Sequence, residues 1–232
     1  MRPLASITQS RCTRRDQILE FSLLVLLYLL QMVNAEMLRR AIGIDPAWDQ
    51  ASTLVADFVR FVTDRLHPWV MLVLGVWLLV MSVRIVRHRF LPRWTFDGLG
   101  LWFCLRLVVE FLIINLLIFQ PSLVEPGVLL CQIVLYLPFF VLSWGWFFHR
   151  LDWVGRSEAG KMLRLNDMDP SEAVRRFDYF HSAINTLLNK GKPTITGVSR
   201  QGRVAVLVFN SMLLALYTVA FARILQLTKA VV

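Results

Sequence analysis

Five apolar stretches of this 232-residue chain are each about long enough to cross a lipid bilayer as a helix. They lie at about residues 18–34, 68–86, 99–119, 127–148 and 204–227. Helices are favoured because a chain in lipid must satisfy its backbone N–H and C=O groups internally. The composition agrees, since 56% of the residues are hydrophobic and only 18% are charged, which is unusual for a soluble domain. The sequence therefore predicts an all-α integral membrane protein that crosses the cell (inner) membrane several times.

A further segment, residues 50–66, has the periodicity of an amphipathic helix. Its larger apolar residues share one face, and its charged residues lie off that face. The apolar set is Leu54, Val55, Phe58, Phe61 and Val62, and the charged set is Asp57, Arg60, Asp64 and Arg65. Such a segment is too charged to cross the membrane as a simple lipid-facing span.

Two charged residues, Arg106 and Glu110, lie four residues apart within the third apolar stretch. Ionisable residues inside a membrane are costly, so a functional role is the default hypothesis. An equally weighted alternative is a mutual ion pair on one helical face that neutralises itself and steadies the bundle.

The segment between the last two apolar stretches departs from the pattern of a simple span. Asp169 suits a helix N-cap and Pro170 the first helical position, so a polar helix is predicted over about 170–189. Gly191 and Pro193 would end it. Non-helical backbone at membrane depth must line a water-filled cavity or be buried in protein. Selectivity filters are built in this way.

This tail resembles the pore module of the tetrameric potassium-channel superfamily. The segment HSAINTLLNKGKPTITGVSRQGR fits, without a gap, the family pattern Y-F-S-F-V-T-L-T-T-x-G-Y-G-D-I-T-P-x-(S/T)-P-x-A-R. The matching positions are Thr186 and Leu187 in the pore helix, Gly191 in the filter, Ile195 and Thr196 after it, and Arg203 opening the inner helix.

The resemblance implies an outer helix, a re-entrant pore helix with its loop, and an inner helix within a helical transmembrane bundle. The corresponding ranges are 127–148, 170–189, 189–198 and 204–227, with peripheral transmembrane helices in 1–120. It also implies a homotetramer. The residues expected at the pore and filter are Thr186, Asn189, Lys190, Gly191, Lys192, Pro193 and Thr194.

The filter departs from the family pattern. Where the family has T-V-G-Y-G-D, this chain has Asn189 to Thr194, with the letters NKGKPT. Proline fixes φ near −65° and cannot adopt the left-handed geometry of the second filter glycine. Lys190 and Lys192 would place positive charge near the axis. We therefore expect weak or non-potassium selectivity, an anion-tolerant pore, or a pore closed until the loop rearranges.

Two inner-helix residues have alternative interpretations. Asn210 faces the lumen or forms a hydrogen bond with a neighbouring helix. Arg223 extends to the lipid headgroups or forms a charged ring at the inner mouth, where an anionic ligand could dock.

Two arguments about orientation disagree. The basic N-terminus and the basic run RIVRHRFLPR both favour the cytoplasm. With five crossings, residues 150–203 would then also be cytoplasmic, whereas the family places its pore loop outside. Three explanations stay open: residues 50–66 form an irregular crossing, the charge rule does not hold for this chain, or the module is inverted. We prefer the family orientation.

The functional hypothesis is an oligomeric transmembrane ion channel that interacts with lipid and ions. A phosphate-bearing ligand, a nucleotide or oligonucleotide, would gate it at the basic loops, and the channel would depolarise the membrane in prokaryotic defence. The net charge of +9 is compatible with such a ligand and with anionic lipid.

The alternative is a non-conducting membrane adaptor or scaffold whose pore module has degenerated. Enzymatic activity is disfavoured, although Asp178 and His181 lie three residues apart and would be the residues to test. A helix-stabilising or filter-bracing pair is favoured for them. No cofactor or metal site is expected.

Overall fold

The computed structural model describes residues 14–42, 50–89, 91–119, 123–158, 161–167, 174–188 and 194–231. Its elements run in the order α1 Arg14–Ala41, α2 Gln50–Arg60, a π-helical turn Phe61–Leu66, α3 His67–Val86, α4 Arg93–Phe119, α5 Pro126–Glu158, β1 Leu163–Leu165, α6 Arg176–Leu188, β2 Ile195–Gly197 and α7 Arg200–Val231.

Five helices within these described ranges are long and apolar enough to span a membrane. They are Arg14–Arg40, Gln50–Val86, Arg93–Ile118, Gly127–Asp152 and Arg200–Ala222. Each overlaps one of the apolar stretches seen in the sequence, so the predicted multi-pass helical membrane protein is confirmed at this level.

The segment at 50–66 does not form a crossing of its own. It continues into α3 as one helix of 37 residues, about 55 Å long and therefore longer than the hydrocarbon core of about 30 Å. The π-helical turn accommodates Pro68, which lacks a backbone N–H, and the N–H of His67 reaches back to Val62 O.

The periodicity of this segment did not indicate which of its faces lies against the bundle. Leu54, Phe58 and Phe61 are exposed, whereas the buried residues include Ser52, Ala56, Val59 and Val62. Small and β-branched side chains let this helix approach its neighbours closely, and the larger apolar side chains lie on the outside of the chain, where lipid can cover them.

Helix α5 is central to the bundle and packs against α1, α4, α6 and α7. Aromatic rings join it to α7: Phe209 stacks on Phe140 with centroids 5.3 Å apart and contacts Trp144 and Phe148 edge-on at 5.4 and 5.3 Å. Pro138 lies inside α5, which continues as a helix on both sides of it.

Strands β1 and β2 form a small antiparallel sheet between α5 and α7. Leu163 pairs with Gly197, and Leu165 pairs with Ile195. The sheet brings the start of α7 against the chain that leaves α5, and the backbone N–H of Val198 donates to Met162 O at 2.9 Å.

Helix α6 begins later than the sequence predicted. Val174 and Arg175 are not helical, and the helix starts at Arg176. The Asp178 carboxylate, in the first turn of α6, accepts the backbone N–H of Arg175 at 2.5 Å and so stabilises that turn. The predicted capping residues Asp169 and Pro170 lie outside the described residues.

Contacts between distant segments bring several basic parts of the chain to one end of the bundle, which we call the basic end. The Gln17 amide donates to Leu91 O at 3.2 Å, Arg176 lies 3.2 Å from Glu20, and Arg150 lies 2.5 Å from Asp97. The start of α1, the α3–α4 connection and the start of α6 therefore lie together.

This arrangement excludes one of the explanations for the orientation conflict. Residues 50–66 add no crossing, so the start of α1 and the β1–β2 sheet lie at the same end. The positive-inside rule assigns such an end to the cytoplasm. A shared end for these segments is what the charge rule with five crossings predicts, and the orientation of the chain in the membrane stays a prediction.

Candidate functional site

The candidate site is the region around α6 and the chain that returns from it, which corresponds to the predicted pore module. Helix α6 lies closely against α5 because Gly145 has no side chain. A Cβ atom there would lie 2.2 Å from the Phe180 ring. The ring of Tyr179 meets His149 edge-on, with centroids 5.6 Å apart.

A buried carboxylate joins three elements of the site. Asp152 of α5 accepts the backbone N–H groups of Met162 and Leu163 at 2.9 and 3.1 Å and the Tyr179 hydroxyl at 2.5 Å. The residue is 1% exposed. Three donors satisfy a carboxylate that burial would otherwise penalise. Asp152 therefore sets the position of α6 relative to α5 and β1.

The start of α6 is also attached to α1. Glu20 lies 3.2 Å from Arg176 and accepts the Trp146 indole N–H at 3.2 Å. Arg176 donates further to Asp16 O at 2.8 Å. This part of the helix is therefore held by charge-assisted hydrogen bonds.

The chain that returns from α6 is attached to the middle of the helix. The Thr194 hydroxyl donates to Ser182 O at 2.6 Å and forms a hydrogen bond with the Thr186 hydroxyl. Thr194 O accepts the backbone N–H of Asn166 at 2.7 Å. Two of the predicted site residues, Thr186 and Thr194, are therefore brought together.

The other predicted filter residues fall between the helix and this return. Asn189, Lys190, Gly191, Lys192 and Pro193 lie outside the described residues. The chain on both sides of them is described, and Thr194, which follows them, lies against Ser182 of α6. The last turn of α6 also reaches α7, because the Tyr217 hydroxyl contacts the Leu187 carbonyl.

Helix α7 presents polar residues on its exposed face. Asn210 and Ser211 lie near the middle of the candidate span Arg200–Ala222, and both are exposed. The same face carries the exposed residues Leu207, Leu214, Thr218 and Phe221 at the spacing of one helical stripe. We call these six residues the α7 stripe. Arg223 belongs to α7, but its side chain is not among those described.

The two charges of the third span form the predicted ion pair. Arg106 Nε lies 3.2 Å from Glu110 Oε1, and the side chains are 6% and 3% exposed. A third partner that no sequence pattern indicated is Asn34 of α1, whose amide donates to Glu110 Oε2 at 2.8 Å. Within the described part of the chain, Arg106 Nη2 and both amide atoms of the buried Gln31 have no hydrogen-bond partner.

Asp178 and His181 do not form the predicted pair. Asp178 accepts the N–H of Arg175, whereas His181 lies 3.6 Å from Asp167 with its side chain 57% exposed. Asp167 also accepts the Ser182 hydroxyl at 2.8 Å. These contacts fasten α6 to the turn after β1. In the described ranges, no group of three or more His, Cys, Asp or Glu side chains is arranged to hold a metal ion.

Comparisons with protein-family models, with curated proteins and with solved structures each found no match. The likeness to a channel pore module therefore depends on the residues of the tail alone.

Proposed function

We propose that the protein is an oligomeric ion-conducting membrane protein in which the α7 stripes of several copies face a common water-filled axis. The observation that carries the proposal is the exposure of Asn210 and Ser211 near the middle of a membrane-spanning helix. The number of copies favoured by the sequence resemblance is four.

A polar amide at this depth needs a partner or water. Leaving one unpaired in an apolar environment costs about 1–3 kcal/mol by protein mutational measures. Asn210 points away from its own bundle, so neighbouring helices of the same chain do not cover it. A second copy or a water-filled pathway would satisfy the group, and a symmetric pore supplies both.

The packing of α6 supports a constriction formed by the loop that follows it. The helix is attached near its start to α1 and α5, and its last turn contacts α7. The return at Thr194 is fastened to Ser182. We expect the loop between these attached segments to be sheltered from lipid, as backbone at membrane depth requires.

The chemistry of that loop favours a weakly selective or anion-tolerant pore. Lys190 and Lys192 would contribute eight positive charges if four copies met, two from each chain. The negative end of the α6 dipole offsets about half a charge in each copy. Rings of cationic side chains attract anions, whereas potassium selectivity requires stacked carbonyl groups.

Gating by a phosphate-bearing ligand at the basic end is part of the proposal. Basic residues from the N-terminal helix and the α3–α4 connection meet there, and phosphate binding to them would weaken as salt rises. The role in prokaryotic defence that the sequence suggested stays a prediction.

Conductance in planar bilayers tests the proposal. Purified protein should produce discrete current steps, and Asn210→Leu should reduce the unitary current because an apolar lining favours dewetting. Leu72→Ala, on the exposed face of α3, is the control and should leave the current unchanged. An absence of current at any protein density would favour the non-conducting adaptor.

A further inference from the structure

A pocket at the basic end lies between the start of α1 and the end of α3. It is lined by Arg14, Gln17, Ile85, His88 and Arg89 and is partly open to the outside. We call it the basic pocket. Its described lining contains two arginines, a histidine and no acidic side chain, so the two guanidinium charges repel one another unless an anion lies between them.

The turn that carries two of these side chains has a defined hydrogen-bond pattern. The N–H of His88 donates to Ile85 O at 3.1 Å, and the N–H of Arg89 donates to Arg84 O at 3.0 Å. These are the two bonds of a Schellman motif, which ends a helix with one residue in the left-handed conformation.

His88 occupies the position in this motif that glycine normally takes. Its φ is +57°. A residue with a Cβ atom in this region is strained by roughly 1–2 kcal/mol relative to the right-handed conformation. Glycine would remove that strain, so the fold alone does not explain an imidazole here. Strained residues cluster at ligand-binding positions, and this side chain lines the basic pocket.

The surroundings of the pocket are those of a membrane surface. Ile18, one turn after Arg14, is 41% exposed, and Val86, at the end of α3, is 70% exposed. Both belong to helices that can span a membrane. A ligand with its anion between Arg14 and Arg89 would therefore extend along apolar side chains towards the middle of the bilayer.

We propose that the basic pocket binds the phosphodiester headgroup of an anionic phospholipid. The guanidinium groups of Arg14 and Arg89 and the His88 ring donate to the phosphate oxygens, and the acyl chains lie along Ile18 and Val86. Arginine suits this ligand because its planar fork matches phosphate geometry. Basic pockets between membrane helices bind anionic lipid headgroups in this manner.

The test is a titration of the full-length protein in a neutral detergent with short-chain phosphatidylglycerol, read by native mass spectrometry. Phosphatidylcholine with the same chains and inorganic phosphate are the comparison ligands. Each basic side chain near a membrane surface contributes about a fivefold change in affinity. Arg14→Gln combined with Arg89→Gln should therefore weaken phosphatidylglycerol binding about 25-fold and leave phosphatidylcholine binding unchanged.

Two further variants keep the test independent of folding. Arg164→Gln combined with Arg175→Gln removes two exposed charges at the same end outside the pocket and should leave the affinity unchanged. His88→Gly should weaken phosphatidylglycerol binding while the unfolding temperature stays constant or rises, because the strain is relieved.

Three results would overturn the proposal. The first is an unchanged phosphatidylglycerol affinity in the Arg14 and Arg89 variant. The second is an equal loss in the Arg164 and Arg175 variant, which would indicate a diffuse charge effect. The third is inorganic phosphate binding as tightly as phosphatidylglycerol at the same side chains, which would assign the pocket to a free anion.

Discussion

The Thr194 hydroxyl donates to the carbonyl oxygen of Ser182 at 2.6 Å, so the residue that follows the loop is fixed to the middle of the helix that precedes it. Thr194 is 6% exposed, and this contact closes the two ends of the loop on each other. The segments that flank residues 189–193 are therefore joined by a hydrogen bond.

Thr194→Val should loosen the loop while keeping the shape of the side chain. Valine cannot donate to Ser182 O or bond the Thr186 hydroxyl, and each lost hydrogen bond is worth about 1 kcal/mol. Hydrogen exchange should become faster in the segment that contains residues 189–198. Thr196→Val is the matched control, because its partly exposed hydroxyl makes only long contacts at 3.3 and 3.4 Å. If this segment were equally protected from hydrogen exchange in the Thr194 and Thr196 variants, the result would contradict the role of the Thr194 hydroxyl in holding the loop.

Asp152→Asn should destabilise the attachment of α6. Asn presents one acceptor oxygen and loses the charge that strengthens three hydrogen bonds, so the free energy of unfolding should fall by about 1–3 kcal/mol. Thermal unfolding in lipid nanodiscs measures this. Tyr179→Phe removes only one of the three donors and should have a smaller effect. A larger loss for Tyr179→Phe than for Asp152→Asn would show that the carboxylate is not the main attachment.

Single substitutions of the buried ion pair should be more damaging than the double substitution. Glu110→Leu leaves the Arg106 charge buried and unpaired, and such changes cost about 3–5 kcal/mol. Arg106→Leu combined with Glu110→Leu removes both charges and should recover most of that loss. Unfolding in mild detergent checks the order. If the double variant is less stable than either single variant, the pair does more than neutralise its own charges.

Lys190→Gln combined with Lys192→Gln should shift ion selectivity towards cations, because it removes the positive charges proposed for the constriction. The reversal potential in asymmetric chloride solutions measures the shift. Lys161→Gln changes an exposed lysine at the basic end and should leave the reversal potential where it was. An unchanged value in the double variant of a conducting protein would remove these lysines from the ion pathway.

The features that the sequence predicted well are those encoded by neighbouring residues. Runs of apolar residues identified the five spans, and the four-residue spacing of Arg106 and Glu110 predicted their pair. Such patterns depend only on helix geometry.

The features that the sequence did not indicate depend on residues far apart in the chain. Ser52 and Ala56 are buried whereas Leu54 and Phe58 are exposed, and the face that a membrane helix buries depends on the helices beside it. The contact of Asn34 with Glu110 joins residues 76 positions apart. No local pattern indicates a partner at such a distance.

The candidate site was predicted in part for the same reason. The sequence identified Thr186 and Thr194 through a motif, and the structure brings them together. Asp152 was not singled out, because its donors Met162, Leu163 and Tyr179 come from segments that only the folded chain brings together. Acidic residues are common where an apolar stretch ends, so an aspartate at position 152 did not by itself indicate a structural role.

An image of the protein in lipid, viewed along the membrane normal, would show how the copies are arranged. We expect four copies related by a fourfold axis, with the α7 helices innermost and Asn210 facing the axis. A single copy whose Asn210 side of α7 lies against lipid would contradict it.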